Sequence, residues 1–165
     1  MDIMTGLKPA RAFATWKPSG TVSLWRYTVN TRNYPGWHLN ADAAGCRSLL
    51  DLLDALATES GSHRTMPLRP PTEVQLSVPN NRRSPVVAAT KLQLALSDVP
   101  AHWRFPSDPD PAALTIGSDW LAPLRKGLLD ITQRRGDYRI GRDADGHLPL
   151  WFWWGLDERP RHEAR

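Results

Sequence analysis

Short runs of period-two hydrophobicity alternate along the chain with two longer stretches of helical periodicity. From Thr21 to Val29, the residues Trp25, Tyr27 and Val29 share one face, and the run is rich in β-branched and aromatic residues. With Phe13–Trp16 across the turn Lys17-Pro18-Ser19-Gly20, this run predicts an opening β-hairpin. Asn33-Tyr34-Pro35-Gly36 then breaks the strand, since Pro and Gly punctuate regular structure. A helix is expected from Ala41 to Thr58. Cys46, Leu49, Leu50, Leu53 and Leu56 recur at helical spacing on one side, with Arg47, Asp51, Asp54 and Thr58 opposite. Asn40 is its expected N-cap, and Asp42 suits the positive end of the first turn. Gly45 inside it costs about 1 kcal/mol relative to Ala, so close packing is expected there.

Ser60–Pro71, with its prolines, reads as a loop. Alternation predicts strands at Val74, Leu76 and Val78 and at Leu92, Leu94 and Leu96, joined by an exposed connection over 79–85. His102–Phe105 and Leu114–Ile116 are shorter strands around a proline-rich segment that forbids a helix interior. A second helix spans Leu121 to Arg135: Leu121, Leu124, Leu128 and Ile131 form its apolar stripe, Pro123 fits the first turn and Gly136 is the stop. Asp137–Gly141 and Leu150–Trp154 close the chain as a hairpin, with a frayed tail from Asp157. The sum is an α+β protein, a mainly antiparallel sheet with about two amphipathic helices packed on one face.

Length adds that residues 1–165 form a single domain, with about 1–9 and 157–165 frayed at its ends. Hydrophobic residues at 41% and charged residues at 23% are ordinary globular values and exclude disorder as the main state. One cysteine excludes an internal disulfide framework. The longest wholly apolar run, Leu150–Trp154, is far below the ~18 residues of a membrane span, and the first residues lack the plan of a signal peptide. A soluble, cytoplasmic protein is expected. The 17 Arg against 4 Lys, within a net charge of +4, fit the composition of a GC-rich bacterial genome, and the arginines are scattered along the chain.

Chemistry is sparse. There is no glycine-rich phosphate loop, dinucleotide fingerprint, His-Glu-x-x-His or nucleophile elbow. Asp143-Ala144-Asp145-Gly146 resembles part of a calcium loop, but Trp154 stands where such a loop closes with Glu, so a hairpin turn is expected. Cys46, with His38 or His63 as base, would suit a nucleophile, yet its place on the apolar stripe predicts a buried thiol. The histidines His38, His63, His102, His147 and His162 have no ligand spacing, so neither a metal nor a cofactor is expected.

Eight tryptophans are the unusual feature. On the last strand, Leu150, Phe152 and Trp154 alternate with Trp151 and Trp153. Either this is a central strand covered on both sides, the simpler reading, or one face is a groove or contact surface. Phe152 and Trp154 are expected to join Leu50, Leu53, Leu124 and Leu128 in the core, with Trp151 and Trp153 on the partner or ligand face in the second case. Tyr34–His38 reads either as a rigid aromatic loop that sets Trp37 and His38 beside a helix N-terminus, or as a loop that anchors itself by burying Trp37 over the helix. Trp37, His38, Trp151 and Trp153 are therefore the candidate binding residues. The leading reading is a binding protein with a protein partner, accessory or immunity-like and without catalytic chemistry. One alternative is nucleic-acid binding through Arg82, Arg83, Arg134, Arg135, Arg139 and Arg142 with exposed Trp. Another is a small-ligand binder or enzyme with a pocket near Trp37 and His38.

Overall fold

A computed structural model describes residues 16–29, 34–59, 61–77 and 85–153. The fold is α+β: two helices, α1 (Ala43–Leu56) and α2 (Leu121–Thr132), pack on each other and on the strands of two mixed, mostly antiparallel sheets. The strands are β1 (Val22–Tyr27), β2 (Trp37–Ala41), β3 (His63–Pro67), β4 (Val86–Ala88), β5 (Lys91–Leu96), β6 (Trp103–Arg104), β7 (Ala112–Ile116), β8 (Tyr138–Ile140) and β9 (Leu150–Phe152). The first sheet runs β4-β1-β2-β9-β8 and the second β3-β5-β7-β6. Only the central pairs, β2 with β9 and β5 with β7, are parallel.

This strand order contains a duplication that the sequence does not display. β1-β2-α1-β3-β5 and β6-β7-α2-β8-β9 have the same topology, and each sheet joins the first hairpin of one unit to the last hairpin of the other. Equivalent hydrogen bonds recur. Asp42 N donates to Thr21 O at 3.1 Å where α1 begins, and Gly117 N donates to His102 O at 2.7 Å ahead of α2. At the corners where the two sheets meet, Ala89 N donates to Leu24 O and Leu148 N to Phe105 O, both at 2.9 Å. β4 is the extra strand, added outside β1.

Several boundaries differ from expectation, each for a local reason. The partner of β1 is β2, not the segment at 13–16. Trp16 is not in a strand and instead donates its indole N–H to Ser48 O at 2.8 Å, while Phe13 lies outside the described residues. The N-cap of α1 is Asp42, whose carboxylate accepts from Gly45 N at 2.7 Å and Thr21 N at 3.0 Å; Asn40 is still within β2. α2 ends at Thr132, because Arg134 (φ 61°) takes the left-handed position expected of Gly136. Arg134 N then bonds Ile131 O and Arg135 N bonds Asp130 O, closing a Schellman motif. The expected loop at 60–71 contains edge strand β3, where Pro67 is tolerated at the strand end. The described part of the expected strand at 74–78 contains a 3-10 turn, Gln75–Ser77, fixed by a reciprocal capping box: Gln75 N donates to Thr72 Oγ1 and Thr72 N to Gln75 Oε1. Val78 and positions 79–84 of the expected connection lie outside the described residues.

One core fills the space between both sheets and both helices. Leu24, Leu39 and Phe152 from the first sheet meet Leu94, Phe105 and Leu114 from the second, with Cys46, Leu53, Leu124 and Leu128 from the helices. Leu50 packs at its margin. Gly45 is tightly packed as expected, since a β-carbon there would lie 2.4 Å from Thr21 O. α2 sits directly on Phe152, because a β-carbon at Gly127 would come within 2.3 Å of that ring. No described helix is long and apolar enough to cross a membrane.

Two substitutions test this packing. Phe152→Ala should cost about 3–5 kcal/mol in chemical denaturation, the range for emptying a large aromatic site. Gly127→Ala should lower the unfolding midpoint, because overpacking costs about 1–3 kcal/mol against at most about 1 kcal/mol of gained helix propensity. A raised midpoint for Gly127→Ala would show that α2 does not rest on this ring.

Candidate functional site

The candidate residues on β2 are not in a loop. Pairing with β1 on one side and β9 on the other makes β2 an interior strand, so alternation sends Trp37 into the core and His38 to the outer face of the sheet. Both are fully buried. Trp37 stacks on Phe105 with centroids 5.6 Å apart and donates its indole N–H to Pro106 O at 2.9 Å, which ties the first sheet to the second.

On the outer face, one register row crosses all five strands: Ala88, Trp25, His38, Trp151 and Arg139. The His38 ring is nearly parallel to Trp25 and to Trp151, with centroids 5.9 and 6.0 Å away. The Arg139 guanidinium lies 5.8 Å from the Trp151 ring and ends the row. Trp153 continues the layer: its indole N–H donates to His38 Nδ1 at 2.8 Å, and its main-chain N–H bonds Leu39 O. His38 Nε2 therefore carries the proton and donates to Tyr34 O at 3.2 Å. Burial pushes this imidazole down to about 3, with the Tyr34 bond opposing. It is a neutral structural histidine with both nitrogens in use.

A polar brace closes the layer. Asn40 Nδ2 donates to Trp153 O, and Gln75 Nε2 donates to Asn40 Oδ1 at 2.7 Å, so the capped 3-10 turn is fastened to β2. The Tyr27 hydroxyl donates to Leu76 O at 3.2 Å. Burial pushes that hydroxyl up to about 12, opposed by the neighbouring Trp25 indole N–H, whose approach falls short of hydrogen-bond geometry. Tryptophan is accordingly scaffold here. Of the seven among the described residues, Trp16, Trp37, Trp103, Trp120 and Trp151 each donate to a main-chain carbonyl and Trp153 donates to His38; Trp25 Nε1 is buried without an acceptor.

The expected division of the last strand thus needs correction. Phe152 is core, but Trp153 is 2% exposed and not a free contact surface. Trp154 lies outside the described residues. Of the four candidate binding residues, only Trp151 is half-buried, beside half-buried Tyr34 and exposed Arg139. Trp37 and His38, both fully buried, do not line the cavity found among the described residues. The interior void of about 10 Å³ lies between the sheets and helices, lined by apolar side chains such as Leu24, Leu39, Leu94 and Leu128, and offers a ligand no polar group.

Other candidates fare as follows. Cys46 is buried at the start of α1, and burial, with the nearby Asp42 charge, pushes its thiol up to about 12, far from a reactive thiolate. Among the described residues no group of three His, Cys, Asp or Glu side chains is placed to hold a metal ion. Asp145 (φ 55°) and Gly146 (φ 78°) form the tip of the β8–β9 hairpin, where Ala144 and His147 bridge. Arg134, Arg135, Arg139 and Arg142 are exposed on or beside β8, interleaved with Asp137, Asp143 and Asp145; Arg82 and Arg83 lie outside the described residues. Beneath them Asp130 accepts from Lys126 Nζ at 2.6 Å and the Tyr138 hydroxyl at 2.7 Å, and the Lys126 bond is the main reason its carboxyl is lowered.

The second sheet has a different outer face. Gln93 and Ala95 on β5 and Ala113 and Thr115 on β7 are half-buried, with Lys91 and Arg104 exposed at the margin. By the duplicated topology, Ala113 corresponds to His38, Gln93 to Trp151 and Ala95 to Trp153. The outer face of the first sheet is filled by buried rings. Among the described residues, its counterpart carries only small or uncharged half-buried side chains at its centre.

Acid should weaken the closed layer. An unfolded His38 protonates near pH 6.5, whereas the folded one resists to about 3, so the unfolded state binds the extra proton between these values. This stability is complete above pH 6.5 and falls by about 1.4 kcal/mol per pH unit below it, a slope that urea melts should find reduced in His38→Gln. An unchanged slope would mean that His38 is protonated in the fold. Trp153→Ala should cost about 3–5 kcal/mol and Trp151→Ala clearly less, judged by the same melts.

No protein-family model, no curated protein and no solved structure matches this chain.

Proposed function

We propose that this is a binding protein that engages a protein partner through a sheet face and carries out no chemistry of its own. The observation that carries the reading is the contrast between two topologically equivalent sheet faces, one filled with buried rings and the other presenting Gln93, Ala95, Ala113 and Thr115 half-buried at its centre. A non-obligate interface is as a whole about as apolar as the rest of a protein surface, so a face of small and uncharged side chains with cations at its margin can serve as one. The states of the reactive groups agree with it: His38 is held neutral with both nitrogens bonded, and Cys46 is far from thiolate. A lone, buried, reduced thiol suits the cytoplasm. An accessory or immunity-like role is one biological setting for such a module.

Nucleic-acid binding is the weaker reading. Arg139 over Trp151 resembles a stacking site, but Asp137, Asp143 and Asp145 divide the surrounding arginines, and phosphate binding needs charge concentrated on one face. A photoreactive amino acid placed in turn at Ala44, Ala113 and Arg139 of the full chain, followed by irradiation in cells, separates the two. Discrete protein adducts are expected. Oligonucleotide adducts, with an affinity that falls steeply as salt is raised, would overturn the proposal.

A further inference from the structure

The geometry points to a specific occupant for the open sheet, an inference that rests on the protein-binding reading: an acidic protein surface that lies flat across β5 and β7 between Lys91 and Arg104. Gln93, Ala95, Ala113 and Thr115 form the centre of this face and are half-buried, where the equivalent centre of the first sheet is closed by His38, Trp151 and Trp153. Ala95 and Ala113 leave the sheet backbone close to the surface, where a partner can approach it.

Charge selects the partner. Lys91 lies on β5 and Arg104 on edge strand β6, both exposed. None of the outward positions on the four strands carries a carboxylate: β3 presents His63, Thr65 and Pro67 in the rows that β5 and β7 continue. A partner with carboxylates spaced to meet both cations gains steering on approach and complementarity on contact. A second copy of this chain laid face to face would instead set Lys91 and Arg104 against strands with no outward carboxylate, so it offers these cations no complement.

The test places photoreactive benzoylphenylalanine at Ala113, with Ala44 on α1 and Arg139 on β8 as comparison positions, in the full chain in cells. The protein joined to position 113 is identified, produced separately and titrated against the unmodified chain and the double variant Lys91→Glu/Arg104→Glu. The inference expects an adduct at 113, direct binding between the purified proteins, at least tenfold weaker binding by the double variant, and the same thermal melt for both chains. Protein adducts only at 44 or 139 would overturn the docking face while leaving the protein-binding reading intact. Adducts to nucleic acid alone, or none at any of the three positions, would overturn both. Adducts only to a second copy, or a partner whose affinity is unchanged by the double charge reversal, would overturn the acidic-partner assignment.

Discussion

β2 is covered on both faces, and that constraint decides what the rest of the first sheet must supply. An interior strand has no solvated side on which to leave polar atoms, so every donor and acceptor on it needs a partner. On the core side Trp37 meets the requirement by reaching Pro106 O. On the other side His38 meets it by accepting from Trp153 and donating to Tyr34. The histidine joins three segments distant in sequence through two bonds and a stack of rings. A phenylalanine would keep the stack and leave the Trp153 N–H orphaned, at about 1–3 kcal/mol for an unsatisfied buried donor. The imidazole is kept neutral by the same surroundings that it organises.

The duplicated topology explains why one sheet needs this layer and the other does not. Both sheets give their inner faces to a single core, and the helices pack at the join between the two units. Equivalent strands therefore carry similar residues on the inner side: Leu39 and Leu114 occupy the same place, as do Phe152 and Leu94. Their outer sides differ. The first sheet carries β4 and the capped turn at Gln75–Ser77, which close over the rings through Leu76 and Gln75. The second presents alanine, threonine and glutamine. A core imposes the same demand on both units, whereas an outer face is shaped by whatever it contacts.

Much of the inner architecture was legible in the sequence, because burial on one face leaves a periodic record. Cys46, Leu49 and Leu53 on α1, Leu124 and Leu128 on α2, and Leu92, Leu94 and Leu96 on β5 were read correctly from spacing alone. The outer layer was not legible. Trp-His-Leu-Asn is hydrophobic on one face and polar on the other, and alternation cannot distinguish a histidine sealed by a tryptophan N–H from one in a binding loop. The Thr72–Gln75 capping box was a readable signal, yet Val74 and Leu76 gave a competing strand pattern. The hairpin tip was read from Asp145-Gly146 because positive φ has a composition of its own.

The tryptophan excess first suggests exposed contact surface, and its placement supports a different inference about where contact can occur. A ring whose N–H is already bonded to Pro106, Leu148, Pro35 or His38 is fixed in position. Moving it to meet a partner would sacrifice both that bond and its packing. Surfaces built on such rings are rigid and already spent on folding. On the protein-binding proposal, recognition falls instead to the outer face of the second sheet, whose charged outward residues on the described strands, Lys91 and Arg104, are both cationic. Ala113 and Thr115 at its centre are small side chains in the positions that His38 and Asn40 hold on the first sheet.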